Sequence, residues 1–181
     1  MTGWLRWSAP PAIVLSLAGP AHAVQYMTVA QAQQAAFPTA SQFVAANVIF
    51  KPADIQAIEQ LSRQRVLTRG EQVWHAERDG QLLGYFILDY VIGKHEVIDY
   101  SVALDPTGTV MRVDILQYRE SYGDEIRSPE WLAQFVGKTD RDPLKIDDDI
   151  RNISGATLSS RHVTEGVKRV LAIYETCIRA K

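Results

Sequence analysis

The chain has 181 residues, one cysteine and a formal net charge of −2 at pH 7. This length suits one domain with a substantial core. The mildly acidic balance disfavours a nucleic-acid partner, which would require a basic face. Because each needs at least two thiols, the single cysteine excludes an internal disulfide, a c-type haem attachment site and a cysteine-ligated iron–sulfur cluster.

The first 23 residues have the pattern of a secretory signal peptide. Arg6 supplies a positive start, an apolar run covers 12–18, and Ala21-His22-Ala23 is a small-x-small cleavage site. The apolar run is too short to span a bilayer as a helix. We therefore predict cleavage after Ala23, a periplasmic location and a single mature domain over residues 24–181 with no transmembrane span.

The mature chain begins with helix and strand signals and continues as a run of strands. The patterns predict a helix capped by Thr28 and ending at Phe37, a strand over 42–50, a helix from Pro52 to about Arg65, and strands over 72–77, 82–92, 97–104 and 110–117. The run over 82–92 is almost wholly apolar, which is typical of a central strand. Short turns between the last four strands favour an antiparallel meander.

A small, hydroxyl-rich stretch pivots on Gly155 and leads into the last helix. Ser159 or Ser160 is a natural N-cap, and an apolar stripe follows at Val163, Val167, Val170, Leu171, Tyr174 and Ile178. The first turn of a helix presents unpaired N–H groups and the positive end of its dipole, so an anion such as phosphate is favoured there. Thr157 lies beside that turn with a hydroxyl that could carry one. The predicted fold is α+β: an antiparallel sheet meander flanked by helices, with this turn feeding a long C-terminal helix.

The string Ser-Gly-Ala-Thr-Leu-Ser-Ser over residues 154–160 resembles the signature of the FMN-binding domain family, which includes flavin-carrying subunits of membrane electron-transport complexes. Further similarity lies in the segments 104–108, 113–116, 119–126 and 134–138. The resemblance spans roughly residues 80–172.

The resemblance implies that a flavin transferase esterifies the Thr157 hydroxyl to the phosphate of FMN. It places the remaining cofactor-binding residues in two groups: Ser154, Gly155, Ala156, Leu158, Ser159 and Ser160 around the phosphate, and Glu120, Ser121 and Gly123 beside the isoalloxazine ring. The implied function is electron transfer to or from a membrane or envelope redox partner. Such a carrier needs no catalytic residues of its own.

Two other functions stay open. The family usually has an acidic residue three positions before the motif serine, and Arg151 occupies that position. This favours an envelope binding or sensor module on the same fold, with FMN held non-covalently or not at all. A small reductase with its own organic substrate is the third possibility.

Metal and hydrolase chemistry find little support in the sequence. The run Asp147-Asp148-Asp149 fits no calcium-loop spacing, and the histidines at 75, 95 and 162 are not spaced as metal ligands. We predict no metal site. The chain also has neither a Gly-x-Ser-x-Gly nucleophile elbow nor a Gly-x-Gly-x-x-Gly dinucleotide fingerprint.

Overall fold

A computed structural model describes residues 24–120 and 122–179. The predicted signal peptide and Ser121 lie outside this part of the chain. The helices are α1 Val29–Ala36, α2 Pro52–Ser62, α3 Pro129–Leu132 and α4 Thr157–Ile173. The strands are β1 Val24–Gln25, β2 Gln42–Ala45, β3 Val48–Ile49, β4 Gly70–Arg78, β5 Gln81–Ile92, β6 Val97–Leu104 and β7 Val110–Tyr118. Short 3-10 helices cover Asp124–Arg127 and Ala133–Phe135, and α4 continues into a π-helical turn, Tyr174–Ile178.

The predicted antiparallel meander is confirmed. Strands β4 to β7 are consecutive neighbours in a sheet of order β1-β7-β6-β5-β4-β2, in which β3 also pairs with β4. The apolar strand β5 is central, with β4 on one side and β6 on the other. All of these pairings are antiparallel.

The single strand predicted over 42–50 is wrong in one respect, because two short strands replace it. The break falls at Ala46 and Asn47, opposite Val73 of β4. The carbonyl of Val73 accepts the N–H of Ala46, while the N–H of Val73 donates to the side-chain oxygen of Asn47 at 3.3 Å. The Asn47 side chain thus replaces a backbone carbonyl as the acceptor for Val73, and the regular pattern of backbone hydrogen bonds with β4 is interrupted.

Helices cover both faces of the sheet, which confirms the α+β class. One face packs against α4, on which α2 packs in turn, and holds the larger core, whose α4 members include Val163, Val167, Val170 and Leu171. The other face packs against α1 through Ala32, Ala36 and Phe37. The predicted cap of α1 is confirmed, since Thr28 and Gln31 form a capping box. Within residues 24–120 and 122–179, no helix is both long enough and apolar enough to cross a bilayer.

A buried charge cluster fastens the middle of α4 to the sheet. The Nη2 group of Arg169 donates to Asp89 Oδ2 at 2.7 Å and to the carbonyl of Tyr90 at 3.0 Å. The hydroxyl of Tyr100 donates to the same carboxylate oxygen. Asp89 is only 4% exposed and Tyr100 is fully buried. The helix that begins at Thr157 is therefore held in place by polar as well as apolar contacts.

Candidate functional site

The last helix begins at Thr157, two residues before the earlier of the two predicted caps, so the assignment of Ser159 or Ser160 as N-cap is wrong. Ala156 is the N-cap residue and provides no side-chain hydrogen bond. The side chains of the two serines are buried and bonded elsewhere, which leaves neither available as a cap. Since the N–H of Ser160 makes the helix bond to the Ala156 carbonyl at 2.9 Å, the three preceding N–H groups have no intrahelical acceptor.

A tight turn directs the chain into this helix. The N–H of Ala156 donates to the carbonyl of Ile153 at 3.1 Å, and Gly155 between them has a φ of 88°. That conformation favours glycine over residues with a side chain. A Cβ on Gly155 would meet no other atom within 4 Å, so the backbone angle and not crowding accounts for the glycine.

An open cleft of about 620 Å³ lies at the start of α4, within the range of small-molecule sites. One wall is the turn and first helical residues, and the opposite wall comes from the β5–β6 turn and the segment after β7. The lining residues are Lys94, His95, Glu120, Tyr122, Gly155, Ala156, Thr157, Leu158 and Ser159. Glu120 and the predicted residues at the start of α4 therefore line the same cleft, although they are more than thirty positions apart in the sequence.

The hydroxyl of Thr157 is accessible from the cleft. Thr157 is exposed, and its Oγ1 has one long contact, 3.4 Å from Asn152 Nδ2. Asn152 is itself held, since its Oδ1 accepts the N–H of Ile153 at 2.8 Å and the hydroxyl of Ser160 at 2.9 Å. Asn152 therefore orients its amide toward Thr157, a role that the predicted set of site residues did not include.

The three predicted serines, Ser154, Ser159 and Ser160, differ in their position relative to the cleft. Ser160 is fully buried beneath the first helical turn, and Ser154 is exposed outside the cleft. Ser159 reaches the lining but also lies 3.2 Å from the hydroxyl of Tyr118, which donates to the carbonyl of Tyr122. These hydroxyls connect the loop after β7 to the first turn of α4.

Gly123 brings the loop after β7 into contact with the start of α4. Its φ is 91°, and a Cβ at this position would lie 2.8 Å from Tyr118 Oη and 3.0 Å from the Cβ of Ala156. Gly123 is buried and does not line the cleft. Its close approach is therefore to Ala156, the residue immediately before Thr157.

We expect Gly123→Ala to destabilise the protein by about 1–3 kcal/mol, because the new Cβ meets both a strained φ and two close neighbours. Urea denaturation measures the loss. Gly80→Ala is the matched control, since Gly80 has a φ of 76° but open space around a Cβ. Equal destabilisation by the two substitutions would contradict the role assigned to the contact with Ala156.

The carboxylate of Glu120 is bound to the β5–β6 turn. Its Oε1 accepts the N–H of His95 at 2.5 Å and that of Glu96 at 3.0 Å. Burial alone would raise the pKa of Glu120, but hydrogen bonds from the N–H groups of Glu96, His95 and Lys94 outweigh it and lower that pKa below its ordinary value. Glu120 is therefore a charged group that holds the turn.

Lys94 and His95 line the cleft but are not among the predicted site residues. They follow the most apolar strand, in one of the short turns predicted between the strands. The turn is also held by His162 of α4, whose Nδ1 lies 2.6 Å from the carbonyl of Ile92. Both walls of the cleft are thereby connected. Among the described residues, no cluster of three or more histidine, cysteine or acidic side chains could hold a metal ion.

Residues 93–172 match the family model described as the FMN-binding domain. The matched segment starts at the β5–β6 turn, includes every residue that lines the cleft, and ends near the end of α4. This segment belongs to the FMN-binding domain family. The predicted resemblance is thus confirmed, and the cleft lies inside the family's own part of the chain.

Two solved structures are similar to this chain. NqrC from Shewanella oneidensis is 17% identical, with a TM-score of 0.52, over 79% of this chain and 84% of that chain. The C subunit of the Na(+)-translocating NADH-quinone reductase from Parabacteroides distasonis ATCC 8503 is 18% identical, with a TM-score of 0.49, over 74% of this chain and 77% of that chain. The first similarity shows a shared fold. No curated protein sequence matches the chain.

Proposed function

We propose that this protein is an exported electron-transfer flavoprotein whose FMN is linked through its phosphate to Thr157. The observation that carries the proposal is an accessible threonine hydroxyl at the uncapped start of α4, at the mouth of the cleft of about 620 Å³. The match to the FMN-binding domain family supports FMN as the ligand.

The residues present fit the phosphate. The N–H groups at the start of α4 have no intrahelical acceptor, and the dipole of a helix of this length favours an anion there. The amide of Asn152 points to the Thr157 oxygen and can donate to a phosphate attached to it. Attachment joins the Thr157 oxygen to phosphorus as a phosphoanhydride bond of an activated flavin nucleotide breaks. The threonine proton passes to a base of the enzyme that catalyses the step, and the other phosphate of the anhydride departs as the leaving group. A flavin transferase is the partner that catalyses this step.

The cleft also fits a flavin ring that exchanges electrons with another protein. Leu158 and Tyr122 offer apolar and aromatic surface, and Tyr122 is 87% exposed. FMN supplies the redox chemistry, while the chain positions it and determines its surroundings. An open cleft lets a membrane or envelope redox partner approach the ring. An ester bond prevents loss of the cofactor from an exported protein, so tight enclosure is unnecessary.

Thr157→Ala is expected to abolish covalent FMN. The protein is produced with an active flavin transferase, then measured by intact mass and by flavin fluorescence of the band after denaturing electrophoresis. The wild type should carry one FMN per chain. Thr157→Ser, which keeps a hydroxyl, should be modified in part. Thr39→Ala is the matched control, because it removes an exposed threonine hydroxyl that lies outside the cleft. An unmodified wild-type mass, or a modified Thr157→Ala, would refute the proposal.

The second candidate, a binding or sensor module, rests on Arg151. Its carbonyl accepts the indole N–H of Trp131 at 2.8 Å, and its N–H donates to Gln134 Oε1 at 2.9 Å. These bonds fix the segment that leads to the cleft, and Arg151 does not line the cleft itself. Flavin that leaves the wild-type protein completely on denaturation would favour this candidate.

A further inference from the structure

We propose that Glu120 is a positioning residue that holds the β5–β6 turn so that Lys94 faces the flavin, and that Lys94 stabilises the negative charge that the flavin ring gains on reduction. The inference rests on the proposed function, because it places FMN in this cleft. It assigns roles to two residues, Glu120 and Lys94, that come together only through the fold.

Glu120 lies beside the β5–β6 turn because of the sheet register. Ile98 of β6 pairs with Tyr118 of β7, so the chain after β7 runs alongside the residues before β6. Glu120 is two positions beyond Tyr118 and lies next to Glu96, whose N–H it accepts at 3.0 Å. The sheet register thus delivers a carboxylate to the turn.

The carboxylate of Glu120 stabilises the conformation of the β5–β6 turn. The N–H of Gly93 donates to the carbonyl of Glu96 at 2.8 Å, which forms a tight loop with Lys94 and His95 at its tip. Glu120 Oε1 accepts from the two N–H groups on one side of this loop. A charged acceptor makes stronger hydrogen bonds than a neutral one. The loop therefore has a fixed conformation as long as Glu120 is charged.

The β5–β6 turn places a positive charge at the cleft. Lys94 lines the same cleft as Thr157 and Leu158. In the described part of the chain, the ammonium of Lys94 has no ion-pair partner. A cation that is not neutralised by a neighbour attracts charge developing nearby, and charges beside the ring are among the ways a protein tunes a flavin.

If Glu120 acted on the flavin directly, removing it would change the flavin potential in the opposite direction. If the carboxylate acted on the ring by its own negative charge, its removal would favour the reduced flavin. If it acts through the turn, its removal releases Lys94 and disfavours the reduced flavin. The sign of the change in flavin potential therefore separates the two mechanisms.

The experiment measures the two-electron midpoint potential of the FMN-loaded protein by spectroelectrochemical titration. Lys94→Gln is expected to lower the ratio of reduced to oxidised flavin at a fixed potential about tenfold, which corresponds to about 30 mV for a two-electron couple. Lys94→Arg should retain the wild-type potential. Lys51→Gln is the matched control, since it removes the same charge at the start of α2, outside the cleft.

Glu120→Ala should lower the ratio to a similar extent, and the double variant with Lys94→Gln should lower it no further. Glu120→Gln keeps an acceptor oxygen and should lie between Glu120→Ala and the wild type. An increase in the ratio for Glu120→Ala and Glu120→Gln would overturn the positioning role. A wild-type potential for Lys94→Gln in protein that carries FMN would overturn the role of Lys94 and leave the proposed function intact.

A second measurement does not require FMN. Hydrogen exchange at the amides of His95 and Glu96 should accelerate at least tenfold in unloaded Glu120→Ala, and Thr157→Ala should leave both rates unchanged. Unchanged exchange in Glu120→Ala would disprove the clamp. If the wild-type protein produced with the transferase carried no FMN, both the proposed function and the role of Lys94 would be overturned. The exchange rates would still decide whether Glu120 holds the turn.

Discussion

Replacing Asp89 with alanine is expected to lower the free energy of unfolding by about 3–5 kcal/mol, because it leaves a buried cation without its partner. Asp89 is only 4% exposed and accepts hydrogen bonds from both Arg169 and Tyr100. Alanine would leave the guanidinium of Arg169 and the hydroxyl of Tyr100 without their shared acceptor beneath α4. Urea denaturation of the protein without FMN measures the loss.

The buried pair itself contributes little compared with an apolar replacement, so a double-mutant cycle should show strong coupling. Arg169→Met combined with Asp89→Ala should cost clearly less than the sum of the two single substitutions, since no buried charge is then left unpaired. Asp148→Ala is the control, because Asp148 is an exposed loop residue whose ion pair with Lys145 spans 4.0 Å. A loss below about 1 kcal/mol for Asp89→Ala would contradict the assigned role of the cluster.

The meander could be predicted because its signals are local. The turn pairs Asp79-Gly80 and Gly93-Lys94 separate strands whose apolar content is high, and the observed β5 and β6 nearly coincide with the predicted ranges. Short loops then leave an antiparallel arrangement as the simplest topology. The cap of α1 could likewise be predicted from Thr28, although the reciprocal bond from Gln31 is known only from the structure.

Errors arose where side chains compete with the backbone for hydrogen bonds. Asn47 takes the N–H of Val73 and divides the predicted strand, although its neighbours favour an extended conformation. Ser159 and Ser160 have the composition of helix caps but are bonded to Tyr118 and to Asn152 instead. Such choices depend on partners that are distant in sequence, and propensity alone does not reveal them.

The candidate site could be predicted only in part for the same reason. The motif identified Thr157 and the loop of Glu120, but Lys94 and His95 reach the cleft through the register of β6 and β7. The pairing of Asp89 with Arg169 joins residues 80 positions apart. No local pattern marks an aspartate inside an apolar strand as the partner of one particular arginine.

The carboxyl of Glu71 gives the protein a stability that depends on pH. Glu71 lies on β4 beside the Asp89 cluster, since its neighbour Gln72 pairs with Leu88. Burial and the negative charge of Asp89 raise the pKa of Glu71 from 4.5 to about 8, against the opposing effects of Arg169 and the N–H of Gln72. The folded state therefore binds this proton more tightly than the unfolded state. The resulting stability is complete below pH 4.5 and is lost as the pH rises through about 8.

We expect the free energy of unfolding to fall by about 2–3 kcal/mol between pH 5 and pH 8.5, since one pKa unit is worth about 1.4 kcal/mol and partial access to water reduces the full effect. Glu71→Gln, which stays neutral, should remove this fall and make the protein more stable than the wild type at pH 8.5. Glu77→Gln, on the same strand but outside the cluster, should keep the wild-type dependence. Asp89→Asn should move the fall to lower pH, because the charge that raises the pKa of Glu71 is gone. Parallel stability curves for the wild type and Glu71→Gln would show that Glu71 does not hold a proton at neutral pH.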